Sequence, residues 1–289
     1  MKDLADIVGS FKMVYCNCLA SNGFLMYFLL YYICQINLNF GGVIDMRCAL
    51  AAMGFINEDI TFNKRIIMDT MIKYSGEADI VIFGEAFLQG FYGATFDVDH
   101  DQKLAISQDD LIIQEICLAA KEYAVAVSFG FIEKTDDAFY SSQMTIDYDG
   151  KIIDVYRRVS PGWKESFASE QYREGNGFHT FNLMARRIVV GLCGDLWFDE
   201  NVNQVKALLP DIVFWPVYTD FNANEWNQRI KHEYAMQAGK ICKKVLYVNS
   251  LCIDMEGDEI ARGGAVLFVD GRIEKEIPSG KADVLIVEI

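Results

Sequence analysis

Residues 78–87 read ADIVIFGEAF, and the unbroken apolar run inside them constrains the fold more than any other feature. A strand with one wet face alternates apolar and polar side chains, whereas a strand without alternation is covered on both faces. That cover has to come from other layers of the same chain. Further strand-like runs lie at 48–55 (CALAAMGF), 125–134 (VAVSFGFIEK), 186–193 (RRIVVGLC), 211–217 (DIVFWPV) and 244–252 (KVLYVNSLC). Between them stand helix-patterned segments at 62–76, 109–124 and 198–210 and a long one from Asn224 to Lys240. Asn57, Glu58 and Asp59 precede the first helix, and Ser107, Asp109 and Asp110 are capping candidates for the second. Asp149-Gly150 and Asp270-Gly271 mark hairpins, and DVLIVEI closes the sequence as a last strand. Helices alternating with buried strands predict an α/β layered fold, and the hairpins make its sheets mixed. Two mixed β-sheets covered by helices, a four-layer α-β-β-α sandwich, accommodate this element count.

The formal charge of −15 repels phosphate backbones, and no Lys/Arg stripe offsets it, so nucleic acid is excluded as a partner. Eight cysteines at 16, 18, 34, 48, 117, 193, 242 and 252 form no CxxC pair, and His100, His179 and His232 lie far from them in sequence. Zinc-ligand spacing is absent, and no metal or other cofactor is expected. A chain of 289 residues does not need disulfides to fold, so a reducing, cytoplasmic setting is the expectation. Four prolines and no low-complexity tract give no linker. One domain from 46 to 289 is therefore expected. Residues 1–45 contain an apolar run of about a dozen residues, short of the roughly 20 that span a bilayer, and their acidic start makes a poor signal peptide. No firm membrane association is expected, and residues 1–45 read as an N-terminal appendage dispensable for the fold.

In layered α/β folds, ligands sit outside the carboxyl ends of strands. Three polar residues fall at such ends. Glu85 follows IVIFG and precedes Ala-Phe-Leu, and a half-buried carboxylate needs a reason. Arg158 ends the second arm of the first hairpin, with Lys164 and Glu165 just beyond. Cys193 follows IVVGL. Taken singly, each has a bland reading: a solvated acid, surface bases, a buried thiol. Together they place an acid, a base-rich loop and a thiol at three strand ends, in a chain without a Ser-His or Cys-His arrangement.

These three stretches resemble the nitrilase or carbon–nitrogen hydrolase superfamily. VIFGEAFLQGF resembles its Glu motif, GKIIDVYRRVSPGW its G-x-I-x-x-Y-R-K hairpin arm, and GLCGDLWF its nucleophile motif, in matching order from Met46 to Ile289. The resemblance implies Glu85 as general base, Cys193 as nucleophile and a cation that stabilises an oxyanion. The family's Lys position is held by Arg158, and Lys164 in the same loop is the other candidate cation. Arginine stays charged and donates hydrogen bonds, but it is longer, planar and unable to shuttle a proton. Glu165 resembles a second Glu that some amidases of the family carry, with Glu170 as fallback. Gly194 leaves space beside the reacting carbonyl, and Trp197 and Phe198 would wall the pocket or pack the start of a helix. Asp195 reads as a structural hydrogen-bond acceptor.

The activity implied is cofactor-independent hydrolysis of a small amide through a cysteine thioester, by a homodimer or higher homo-oligomer. The substitution at Arg158 raises the alternative of a catalytically impaired, nitrilase-like binding protein that keeps the pocket without the chemistry.

Overall fold

The computed structural model describes residues 45–257 and 260–289. The predicted appendage up to residue 44 lies outside the described residues.

Two six-stranded sheets form the centre. The first runs β14 (Asp283–Glu288), β1 (Arg47–Ala52), β3 (Ile80–Phe83), β4 (Ala126–Lys134), β5 (Phe139–Ile146), β6 (Ile152–Arg157). The second runs β13 (Arg272–Ile277), β12 (Ala265–Val269), β10 (Lys244–Asn249), β9 (Ile212–Val217), β8 (Arg186–Val190), β7 (Phe181–Leu183). β1, β3 and β4 are parallel, as are β8, β9 and β10, and the hairpins and β14 add antiparallel neighbours. Both sheets are mixed, as the hairpins predict. A short parallel pair joins β2 (Gly54–Phe55) to β11 (Leu251–Cys252).

Strand periodicity sorts the side chains into layers. On β1, Cys48, Leu50 and Ala52 face the second sheet, where they join Val190, Phe214, Leu246 and Val248. Ala49 and Ala51 point the other way, into a core with residues of α1 (Ile60–Tyr74) and α3 (Leu111–Tyr123). On the far side, Val189, Val213, Trp215 and Tyr247 pack against residues of α4 (Asp199–Ala207) and α5 (Lys231–Ile241). The order is helix, sheet, sheet, helix. The four-layer sandwich is the observed fold.

Local chemistry starts the helices where it should. Asp59 caps α1 by accepting from the Phe62 amide at 2.9 Å, and Asp110 caps α3 by accepting from the Ile112 amide at 2.9 Å. Three segments depart from the sequence reading. α2 (Val98–Leu104) is a polar helix without apolar periodicity, capped by Asp97 through the His100 amide at 3.1 Å. β7 is a three-residue edge strand that propensity does not announce. The long helix predicted from Asn224 opens as one turn, passes through a π-helical segment, Trp226–Ile230, and only then becomes α5. That wide turn lets Trp226 stack on Tyr247 at 4.7 Å between centroids while also meeting Tyr234.

Buried Asp101 holds α2 in place. Its carboxylate accepts from Thr95 and Phe96 amides at 3.0 and 2.9 Å and from the Tyr172 hydroxyl at 2.8 Å, and it lies 2.8 Å from His100 Nδ1. One side chain thus ties the loop after Glu85 to the loop after Arg158. The bond to Asp101, helped by the charge of Glu58, raises the His100 pKa above its ordinary 6.5. A raised histidine stabilises the fold fully below its unfolded pKa, and that contribution is lost as pH rises through the folded pKa. NMR titration is expected to give a His100 midpoint above 6.5, and Asp101→Asn to bring it down.

Candidate active site

β4 runs parallel to β3, and β5 and β6 each reverse direction, so β3 and β6 end at the same edge of the first sheet. Glu85 follows β3 and Arg158 follows β6 directly. The Glu85 amide donates to the Val217 carbonyl of β9 at 3.2 Å, which stitches this edge to the second sheet. From that sheet comes Cys193, three residues beyond β8.

Glu85 is fully buried and Arg158 is 4% exposed, and they form an ion pair, Arg158 Nη1 donating to Glu85 Oε1 at 2.9 Å. Burying two charges is costly unless they are paired and hydrogen-bonded. The surroundings meet that demand. Ser141 Oγ donates to the same Oε1 at 2.9 Å, Arg158 Nε donates to Ser160 Oγ at 2.9 Å, and the Arg158 amide donates to the Ser141 carbonyl at 2.9 Å. Glu85 Oε2 is buried with no hydrogen-bond partner among the described residues. Arg158 Nη2 lies between two glycines: a Cβ on Gly194 would come within 2.9 Å of it and one on Gly162 within 3.1 Å. A side chain at Gly194 would displace the guanidinium from the Cys193 turn.

Cys193 opens a 3₁₀ turn, Cys193–Trp197, with a left-handed φ of 44°. A non-glycine residue held there stores strain, on the order of 1–3 kcal/mol, and such residues cluster at functional sites. Asp195 anchors the turn: buried, it accepts from the Leu192, Val159 and Ser160 amides at 3.0, 3.2 and 2.7 Å and from Tyr156 Oη at 2.6 Å. It welds the Cys193 turn to the segment after Arg158, and burial pushes its carboxyl up. Cys193 as a residue is partly exposed, and its thiol donates to the Tyr218 carbonyl at 3.3 Å. Burial and the Glu85 charge push it up to about 12 against the pull of Arg158, so both members of the ion pair act on the sulfur.

The other sequence candidates make different contacts. Lys164 Nζ donates to the Tyr172 carbonyl at 2.6 Å and pairs with Glu174 at 2.8 Å, while Arg158 holds Glu85. Glu165 and Glu170 are exposed on the same loop. Trp197 meets Tyr234 edge-on at 4.9 Å between centroids, and half-exposed Phe198 stands at the start of α4. The sequence reading missed Ser141 and Ser160. Their only signal was polarity inside an otherwise buried strand and loop. Among the described residues, no group of three or more His, Cys, Asp or Glu side chains converges as metal ligands would, and no helix is long and apolar enough to cross a membrane.

Comparison with known proteins bears on the family and the fold. The carbon-nitrogen hydrolase family profile matches residues 49–289. An N-carbamoylputrescine amidase from Oryza sativa subsp. japonica is 25% identical over 250 residues, covering 83% of this chain and 82% of the relative. A citrullinase from Francisella tularensis is 25% identical over 176 residues, 52% of this chain and 60% of the relative. The crystal structure of an amidase from Nesterenkonia sp. superposes with a TM-score of 0.70 at 17% identity, covering 84% of this chain and 90% of that one. The chain belongs to the carbon-nitrogen hydrolase family, hydrolases that act on carbon–nitrogen bonds other than peptide bonds.

Proposed function

We propose that this protein hydrolyses the terminal amide or ureido group of a small molecule through a thioester on Cys193. The observation that carries the reading is a buried Glu85–Arg158 ion pair whose two charges both act on a thiol held on a strained turn. A thiol pushed up to about 12 is protonated at neutral pH, so attack needs a base at the moment of bond formation. Glu85 Oε2 is the acceptor. As sulfur bonds to the carbonyl carbon, the thiol proton passes to Glu85 and the C=O π electrons move to oxygen. The Arg158 Nη2 hydrogens and a backbone N–H of the Cys193 turn stabilise that oxyanion. Collapse expels ammonia or an amine, which takes the proton back from Glu85. Water then attacks the thioester, Glu85 receives its proton, and the C–S bond breaks to return the thiol and release the acid.

Relatives named for N-carbamoylputrescine and citrulline share a ureido group, which supports the substrate class. Incubation with a panel of primary amides and ureido compounds, followed by acid quench and intact-mass analysis, is expected to show ammonia release and an acyl adduct on Cys193. A panel giving neither ammonia nor adduct supports the binding-protein alternative instead.

A further inference from the structure

Arginine beside a catalytic carboxylate creates a problem that lysine does not. Guanidinium and carboxylate match as two forks, and such pairs often close with two parallel hydrogen bonds. A closed fork here would occupy both oxygens of Glu85 and two nitrogens of Arg158. The base would lose its free oxygen, and the guanidinium would turn away from the oxyanion position.

We propose that Ser141 and Ser160 are positioning residues that hold the Glu85–Arg158 pair open at a single point of contact. The inference rests on the reading of Glu85 as the base. Each serine occupies one tooth of a fork. Ser141 Oγ donates to Oε1, the oxygen that also receives Arg158 Nη1, both at 2.9 Å. Ser160 Oγ accepts from Arg158 Nε at 2.9 Å and fixes the guanidinium from its other side. Both are buried, at 2% and 3% exposure, on backbone that is itself pinned. The Ser141 carbonyl accepts from the Arg158 amide at 2.9 Å, and the Ser160 amide donates to Asp195 at 2.7 Å. The outcome is an asymmetric pair. Oε1 carries two donors and is spent, while Oε2 has no partner among the described residues. On the cation, Nε and Nη1 are engaged, and Nη2 faces Gly194 beside the nucleophile. Proton transfer and oxyanion stabilisation are thereby assigned to separate, uncommitted atoms.

The test reads Cys193 itself and needs no substrate. The alkylation rate by iodoacetamide is followed by mass spectrometry from pH 6 to above pH 10 in the wild type, Glu85→Gln, Ser141→Ala, Ser160→Ala and Ser141→Thr. In the wild type, base assistance is expected to give alkylation at pH 7 faster than the small thiolate fraction permits. Glu85→Gln also removes a charge that pushes the thiol up, so each neutral-pH rate is divided by the thiolate fraction read from the same pH profile. That quotient is expected to fall to the plain thiolate value in Glu85→Gln, and an unchanged quotient overturns the reading of Glu85 as base. Given that loss, Ser141→Ala and Ser160→Ala are each expected to lower the neutral rate about 10-fold, a fraction of what a positioned base supplies, and to leave the rate above pH 10 unchanged. Ser141→Thr, which keeps the hydroxyl, is expected to retain it. Neutral rates in both alanine variants equal to wild type overturn the proposal while the base assignment stands. A uniform slowing at every pH also overturns it, because that is the mark of a merely structural role. Should Ser141→Ala fail to fold, Ser160→Ala carries the same test.

Discussion

Cys193→Ala is expected to abolish hydrolysis, a loss on the order of 10⁶-fold in kcat, with the fold retained. Cys193 is partly exposed on a 3₁₀ turn whose position is set by Asp195, not by the sulfur. Removing Sγ deletes one hydrogen bond, to the Tyr218 carbonyl, and a contact at the edge of the aromatic core. The φ of 44° is as strained for alanine as for cysteine, so substitution neither relieves nor adds that cost. Circular dichroism and thermal melting should therefore be close to wild type while ammonia release falls to background. The double variant Glu85→Gln/Cys193→Ala is expected to be no worse than Cys193→Ala alone, because residues that act as one unit are not additive. Residual turnover in Cys193→Ala above the rate without protein would remove the thioester from the mechanism.

The parts of this site that could be read in the sequence are those that interrupt a pattern. Glu85 and Cys193 end apolar runs, and a charge or a thiol-glycine pair at the end of a buried strand stands out against residues whose only task is to be covered. The layer order was legible for the same reason: β3 and β9 are apolar throughout and demand cover on both faces. What escaped depends on three-dimensional closure. Ser141 is one of several polar residues on β5, and only the register placing it opposite Ile132, with Arg158 folding back onto its carbonyl, reveals its role. Arg158 and Lys164 are six positions apart and both cationic. The turn closed by the Lys164 amide on the Pro161 carbonyl at 3.3 Å carries the lysine toward Tyr172 and Glu174. α2 has almost no apolar residues of its own and is held by the buried carboxylate of Asp101, an arrangement that hydrophobic periodicity cannot detect.

Arg158→Lys installs the residue type that the motif resemblance implies at this position, yet here it is expected to lower kcat/KM about 100-fold, the scale of losing one oxyanion donor at about 3 kcal/mol. The space around position 158 is shaped for a guanidinium. Gly162 and Gly194 flank Nη2, and Ser160 receives Nε. A lysine ammonium is a single point charge on a flexible stem. It can pair with Glu85 Oε1, as Nη1 does, but it cannot also reach Ser160 and present a donor beside Gly194. The oxyanion then loses its strongest partner, and the hollow between the glycines admits water. KM should change less than kcat, because the lost contact forms with the oxyanion and not with the resting carbonyl. Arg158→Met goes further: it leaves the fully buried Glu85 carboxylate without its counter-ion, and breaking a buried pair from one side costs about 3–5 kcal/mol of stability. Thermal melting separates the two variants, since Arg158→Lys keeps a charge on Oε1 and should melt near wild type while Arg158→Met melts well below. Equal or higher activity in Arg158→Lys would mean that the arginine is a decayed lysine, and the glycine cradle would lose its explanation.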